Sequence, residues 1–545
     1  MKKQILLGNE AIVWAALEAG VNFVSTYPGT PASEIGNLFY KISKNYGVYF
    51  EFSANEKVAL EAAIGASFSD LKCLVAMKSF GLNVCSDSLL PLCYTGTKGP
   101  MVIVVGDDPS CWSSAQSEEN TRGYAYLAHI PILEPSDPCE AKEFTKLAFE
   151  ISEKFKIPVI VRTTTRVAHQ RMPVIIEPER ISKKLKKTGE FVKDPKRFAA
   201  TSFYVLEMKE KLLEKIERIR KFAEKSSLNK VFYLKKEGGK KNYNKVGVIT
   251  SSVSYLYLKE ALEELKIELP ILKLGFFYPL PENKIKSFIK NLKRVLVIEE
   301  LEPFLEKEIK ILAKEVNPEI NIFGKDVLPV VGELKTEMVI LAINKLLDKK
   351  IKVQKLLKNQ NLKFEIPNRF PRFCPGCPHA MVLAAVKKIV PKETIFGGDI
   401  GCYMIAGFPP YSLQDYLLAM GSSLGVAHGI KKATNQKVIA FIGDSTFFHA
   451  GLPALINVVF NKSNPLIIVM DNGITAMTGH QPNPGEEVKI EEIIKACGIK
   501  NIKVIDPINV EEMEQTIKEF LQKEEVSVII SRRLCALLEK KRKKE

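Results

Sequence analysis

No apolar run in this chain approaches the roughly 20 residues needed to cross a bilayer. The first twenty residues, MKKQILLGNEAIVWAALEAG, carry two lysines but no clean apolar segment, because Asn9 and Glu10 interrupt it. A leader peptide is therefore not expected there, and the reading is a soluble cytoplasmic protein without a membrane partner. Low-complexity tracts are absent, and no stretch repeats another. Metal-like cysteine spacing is absent from the first 140 residues, where Cys73, Cys85, Cys93, Cys111 and Cys139 are scattered. These read as small buried hydrophobes, and ten cysteines in a cytoplasmic chain are not expected to form a disulfide framework.

What is present is an ordinary globular composition, 46% hydrophobic and 26% charged, over 545 residues. That length exceeds one core and suggests three or four domains. The net charge of +16 raises the question of nucleic acid. The lysines, however, are spread over residues 181–187, 209–225 and 235–245 and the C-terminal KKRKKE, with glutamate interleaved in most of these. Solvated faces explain that pattern better than a nucleic-acid patch, so no nucleic-acid partner is expected.

The pattern along the chain predicts an α/β fold of three units with mainly parallel sheets. In residues 1–180, "VNFVSTYPG", "KCLVAMKSFG", "PMVIVVGDD" and "PVIVRTT" read as buried strands, most ending in Gly, Asp, Ser or Thr before a helix-like stretch. That is how parallel sheets carry ligands at strand carboxyl ends. Residues 181–240 read as a Lys/Glu-rich helical connector. Residues 241–350 read as a smaller middle unit, with "KVGVITSSVS", "ILKLGFFYPLP" and "KRVLVIEE" as strands. A polar linker then leads to a third unit at 364–538, with strands such as "QKVIAFIGDS" and "NPLIIVMDNG", followed by a basic tail at 539–545.

The third unit holds the strongest chemical signal. One buried strand ends in Gly443-Asp444-Ser445 and the next in Asp471-Asn472-Gly473, with one helix between. A parallel crossover brings such strand ends together. Ser445 can cap the following helix, whose N-terminus favours an anion. One carboxylate and one amide oxygen beside a helix N-terminus suit Mg²⁺ carrying a diphosphate. Cys374-Pro-Gly-Cys377 is the one tight cysteine pair, open at this point to zinc, redox or structural roles.

A Gly-Asp start with an Asn 28 positions later is similar to the thiamine diphosphate motif. Together with "TYPGTPASEI", "ANEKVALEAAIGAS", "MKSFGLNV", "DDPSCWSS", "FCPGCPHA", "GGDIGCYMIA", "GDSTFFHAG" and "MDNGITAMTGHQPNPG", the chain resembles the large subunit of indolepyruvate ferredoxin oxidoreductase over nearly its whole length. The resemblance implies pyrimidine-binding, middle and diphosphate-binding domains in that order. It implies thiamine diphosphate and Mg²⁺ as cofactors, and oxidative decarboxylation of an arylpyruvate to its acyl-coenzyme A. Asp444 and Asn472 would ligate Mg²⁺ by side chain and Ile474 by its carbonyl, with Gly443 and Ser445 beside the diphosphate. Glu56 would contact the aminopyrimidine, and Thr30 and Arg122 would hold the substrate carboxylate. In the related pyruvate and 2-oxoglutarate enzymes a Cys-x-x-Cys joins two distant cysteines around a 4Fe–4S cluster, which implies such a cluster on Cys374, Cys377, Cys402 and Cys535 here.

Partners implied are a smaller β subunit, in a dimer of heterodimers, and ferredoxin. The sequence departs from the family pattern in two places. Ser79 stands where a histidine is common, which leaves aliphatic 2-oxo acids or non-oxidative decarboxylation as alternatives. The usual ferredoxin-like domain with its cysteine runs is not in these 545 residues, so a separate ferredoxin-like subunit is expected.

Overall fold

The computed structural model describes residues 2–181, 188–232, 245–348 and 370–543. The chain forms two compact units, Met1–Lys363 and Phe364–Glu545.

In the first unit a seven-stranded sheet runs in the order Phe276–Tyr278, Ile132–Leu133, Val159–Thr164, Met101–Asp107, Cys73–Lys78, Phe23–Thr26, Tyr49–Phe52. All pairings but the first are parallel. The central strand MVIVVGD is buried at every position. Helices on both faces explain why it reads as an unbroken apolar run rather than an alternating one. A second sheet of five strands runs Asn321–Phe323, Arg294–Ile298, Val246–Ser251, Ile271–Leu274, Lys230–Phe232. Strand Lys2–Leu7 pairs antiparallel with Arg171–Ile176.

Two expectations change here. The stretch "ILKLGFFYPLP", read as one strand of the middle unit, divides at Gly275. Ile271–Leu274 stays in the five-stranded sheet, and Phe276–Tyr278 crosses to pair antiparallel with Ile132–Leu133. The cause lies in a distant segment. The Asn229 Oδ1 accepts from the N–H groups of both Gly275 and Phe276, at 2.9 and 3.1 Å. A Cβ on Gly275 would also lie 2.7 Å from the Leu228 Cβ. The middle unit is thus stitched into the first sheet.

Likewise, the described part of the connector is no spacer. Helix Val205–Lys225 buries Met208, Leu212, Ile216, Ile219 and Ala223, one stripe at helical spacing, against helix Ser79–Thr95. The following strand, Lys230–Phe232, completes the five-stranded sheet. The lysine-rich stretches at 182–187 and 233–244 and the linker at 349–369 lie outside the described residues.

The second unit is one parallel sheet in the order Ile395–Gly397, Val438–Gly443, Leu466–Asp471, Ser527–Arg532, Asn501–Ile505. Its helices are shorter than the apolar pattern suggests. "LQDYLLAMGSSLGVAHGIKKA" is helical only over Ser422–Ala433. The buried Asp399 carboxylate accepts the N–H groups of Gly421 and Ser423, at 2.7 and 2.9 Å, and so fixes the start. "TFFHAGLPALINVVFN" contains a wide π-turn at Phe447–Gly451 before helix Leu452–Phe460. Pro453 has no N–H for the regular ladder, and the wider turn accommodates the loss. Residues Ala536–Arg542 form a helix that runs into the basic tail. Among the described residues no helix is long and apolar enough to cross a membrane.

Candidate thiamine diphosphate site

In the second unit, strands Val438–Gly443 and Leu466–Asp471 are direct parallel neighbours, with Gly443 opposite Met470. Asp444 and Asn472 therefore leave the sheet side by side. Both are buried. The Asp471 carboxylate has its cation, Arg532 Nε at 2.7 Å. The partners of Asp444 are neutral: Asn483 Nδ2 at 2.9 Å and the backbone N–H groups of Ser445 and Gly473. Burial first, and then the Asp471 charge, push the Asp444 carboxyl up to about 7. A buried carboxylate without a cation is the donor that a metal ion would complete.

Asn472 is held by two bonds. Its Nδ2 meets His379 Nε2 at 3.1 Å, and its Oδ1 accepts the Ile474 N–H at 3.1 Å. Burial pushes His379 down to about 4, so the ring is neutral and its Nε2 accepts from the amide. That fixes which amide atom is oxygen, and Oδ1 keeps one lone pair for a cation. The Ser445 hydroxyl lies 2.9 Å from that of Thr475. A Cβ on Gly443 would come within 2.8 Å of the Tyr403 ring. One carboxylate and one oriented amide oxygen fit Mg²⁺, which takes few protein ligands and leaves positions for phosphate oxygens.

His379, Asn483 and Asp399 carry this geometry and were missed as individual residues from sequence. Each sits inside a motif that was noticed, "CPGCPHA", "HQPNPG" and "GGDIG". Their partners are 93, 39 and 22 to 24 positions away, and no local pattern specifies such pairings.

Four of the five cysteines of the second unit, Cys374, Cys377, Cys402 and Cys535, lie within one another's field. The Cys377 N–H bonds the Cys374 carbonyl at 3.0 Å across the Pro-Gly turn. A Cβ on Gly376 would lie 3.8 Å from the Ala536 Cβ, next to Cys535. Burial, and then the neighbouring thiols of Cys377, Cys535 and Cys374, push the Cys402 thiol up to about 12. The Cys535 N–H bonds the carbonyl of Asn472 at 3.1 Å, so the thiol group and the Asp444–Asn472 pair share a backbone link. Among the described residues no three His, Cys, Asp or Glu side chains close on a single metal ion. Four thiolates are the number that an iron–sulfur cubane requires.

In the first unit the candidate residues line the carboxyl ends of the seven-stranded sheet. Thr30 follows strand Phe23–Thr26, and its hydroxyl lies 3.2 Å from that of Ser33. Glu56 opens helix Glu56–Phe68, whose cap is Asn55 accepting from the Val58 N–H at 2.8 Å. Glu56 is buried beside the start of helix Ser79–Thr95, where a Cβ on Gly81 would lie 2.5 Å from its Cγ. Glycine at 81 is what leaves room for this carboxylate.

Arg122 is corrected. The resemblance implied a substrate ligand. Instead its side chain is 2% exposed, and its guanidinium is taken up by Glu134 at 2.7 Å on both Nε and Nη2, Glu299 at 2.5 Å, and Ser251 Oγ at 2.7 Å. Arg162 bridges Glu134 and Asp107 beneath it. Burial alone would raise Glu134, but Arg122 and Arg162 hold it down at about 2. At Glu299 burial outweighs the single arginine and keeps the carboxyl above its ordinary range. These charges join the seven-stranded sheet to the five-stranded one, and they engage Nε, Nη1 and Nη2 of Arg122.

Next to this network, Glu300 is buried and accepts the Leu334 N–H at 3.1 Å. Burial pushes its carboxyl up to about 7. A carboxyl raised in the folded state is stabilising below its unfolded value near 4.5, and that stability is lost as pH rises through about 7. Glu300→Gln is therefore expected to melt like wild type at pH 5 and a few degrees higher at pH 8, a gain of about 1–3 kcal/mol. Scanning calorimetry across that range checks it; equal melting at pH 8 would contradict the buried, protonated Glu300.

Comparison with known proteins agrees with both halves. The family described as pyruvate flavodoxin/ferredoxin oxidoreductase, thiamine diphosphate-binding, matches residues 14–251. The thiamine pyrophosphate enzyme C-terminal binding domain matches 399–531. Indolepyruvate oxidoreductase subunit IorA of Methanothermobacter thermautotrophicus is 44% identical over 98% of this chain and 87% of its own length. The chain belongs to the IorA family. The Pyrococcus horikoshii member is 43% identical over 98% of this chain and 86% of its own. A solved 2-oxoglutarate:ferredoxin oxidoreductase from Magnetococcus marinus, 18% identical, covers 63% of this chain and 65% of that one at a TM-score of 0.50. It shows the same α/β fold.

Proposed function

We propose that this chain is the thiamine diphosphate-binding subunit of an arylpyruvate oxidoreductase. The reaction is 2-oxo acid plus coenzyme A to acyl-coenzyme A, CO₂, one proton and two electrons, with the electrons leaving one at a time to a ferredoxin-type acceptor. The observation that carries this is the pair of adjacent strand ends bearing Asp444 and Asn472, in a chain of the IorA family. The cofactor, when bound, supplies a stabilised carbanion centre; the chain's residues do the rest. Asp444, the Asn472 amide oxygen and the Ile474 carbonyl would hold Mg²⁺. The Gly443–Ser445 turn would receive the diphosphate at a helix N-terminus. Glu56 would hold and move a proton at the aminopyrimidine ring. Thr30 offers a hydroxyl to the substrate.

Cys374, Cys377, Cys402 and Cys535 would hold a 4Fe–4S cluster, which would supply a one-electron acceptor. The mutual field of these thiols and the Cys535–Asn472 backbone bond support this assignment. The working assembly pairs this chain with a smaller subunit, as a dimer of such pairs.

Anaerobic assay of the complex tests the reading. Reduction of a viologen dye should require both indolepyruvate and coenzyme A, and CO₂ release without dye reduction would favour simple decarboxylation. For the cluster, anaerobic reconstitution should load about four irons on these cysteines, with a paramagnetic signal on reduction. Iron retained undiminished by Cys535→Ala would remove the assignment.

A further inference from the structure

We propose that Lys78, and not Arg122, supplies the positive charge that holds the carboxylate of the substrate; the proposal rests on the 2-oxo acid reading above.

Arg122 and Arg162 are enclosed by Glu134, Glu299 and Asp107, and Lys273 is closed by Glu140. Lys78 differs. It is the last residue of strand Cys73–Lys78, near the middle of the seven-stranded sheet, at the carboxyl edge where parallel α/β sheets bind ligands. It is half-buried. Its Nζ donates to Ser114 Oγ at 3.0 Å and the Ser113 carbonyl at 3.3 Å, and lies 4.5 Å from the Phe80 ring centroid. Among the described residues no carboxylate pairs with it. The closest candidate, Asp108, is already engaged by Ser113, Ser114 and Thr165. Burial therefore lowers the Lys78 ammonium below its ordinary range, while the more distant Asp108 and Glu56 charges oppose that shift.

Lys78 also stands where a substrate carboxylate must go. A Cβ on Gly29 would lie 2.9 Å from the Lys78 Cγ, so its stem packs on the backbone next to Thr30. The Lys78 stem thus packs on the backbone beside the threonine of the proposed site, and its ammonium feels the Glu56 charge. A 2-oxo acid carboxylate there would give Lys78 a paired counter-charge and favour its charged form. Lysine, a point charge on a flexible stem, suits a group that departs as neutral CO₂ better than a bidentate arginine clamp does.

The test uses the complex with its smaller subunit, loaded with thiamine diphosphate. Lys78→Met keeps the stem on Gly29 and removes the charge. It is expected to raise KM for indolepyruvate about thirty- to a hundredfold, with KM for coenzyme A and cofactor affinity unchanged. Lys78→Arg should recover most of the lost affinity. A KM for indolepyruvate within twofold of wild type in Lys78→Met would overturn the proposal. So would a Lys78→Arg variant as impaired as Lys78→Met, which also covers failure of the methionine variant to fold. Inactivity of the wild-type complex on every 2-oxo acid would instead remove the functional reading on which this stands.

Discussion

Asp444→Ala is expected to abolish retention of thiamine diphosphate, with affinity for cofactor plus Mg²⁺ falling by at least about a hundredfold. Asp444 is the one carboxylate at the paired strand ends without a cation of its own, since Asp471 is closed by Arg532. Magnesium takes few protein ligands, so losing the only anionic one leaves the diphosphate charge uncompensated. Asp444→Asn separates this from a packing defect. It keeps the shape and can still accept from Asn483 Nδ2, now 2.9 Å from the carboxylate, yet lacks the charge. Calorimetric titration with thiamine diphosphate and Mg²⁺ should find both variants equally impaired, with their circular dichroism unchanged. Wild-type affinity in Asp444→Asn would sink the assignment of Asp444 to the metal.

Glu56→Gln should bind the cofactor within a few-fold of wild type and lose about 10²- to 10⁴-fold in turnover. The amide fills the same niche beside Gly81 but cannot exchange a proton with the aminopyrimidine. The loss should therefore fall on rate rather than on affinity. Exchange of the thiazolium C2 proton in the bound cofactor, followed by NMR, reads the step directly. If that exchange ran at the wild-type rate in the variant, Glu56 would have no part in it.

The chain's primary structure determined the parallel α/β class, because buried strands such as MVIVVGD and VIAFIG are continuous apolar runs ending in Gly or Asp. It determined the Asp444–Asn472 pair as well, since a strand–helix–strand crossover leaves adjacent parallel ends little choice of position. The tight cysteine pair was equally legible. Tertiary structure alone decided the rest, in each case through partners far apart along the chain. Asn229 turned one expected strand into two by binding the N–H groups of Gly275 and Phe276. Asp399 cut a long apolar helix short.

Arg122 is the clearest case. The resemblance placed it at the substrate, but Glu299, 177 positions later, and Glu134 take up its guanidinium. That leaves Lys78 as the open cation beside Thr30. Periodicity and turn chemistry act over a few residues and so are written locally. Charge neutralisation in a buried site is settled by whichever groups the fold brings within about 4 Å, and no local pattern encodes that meeting.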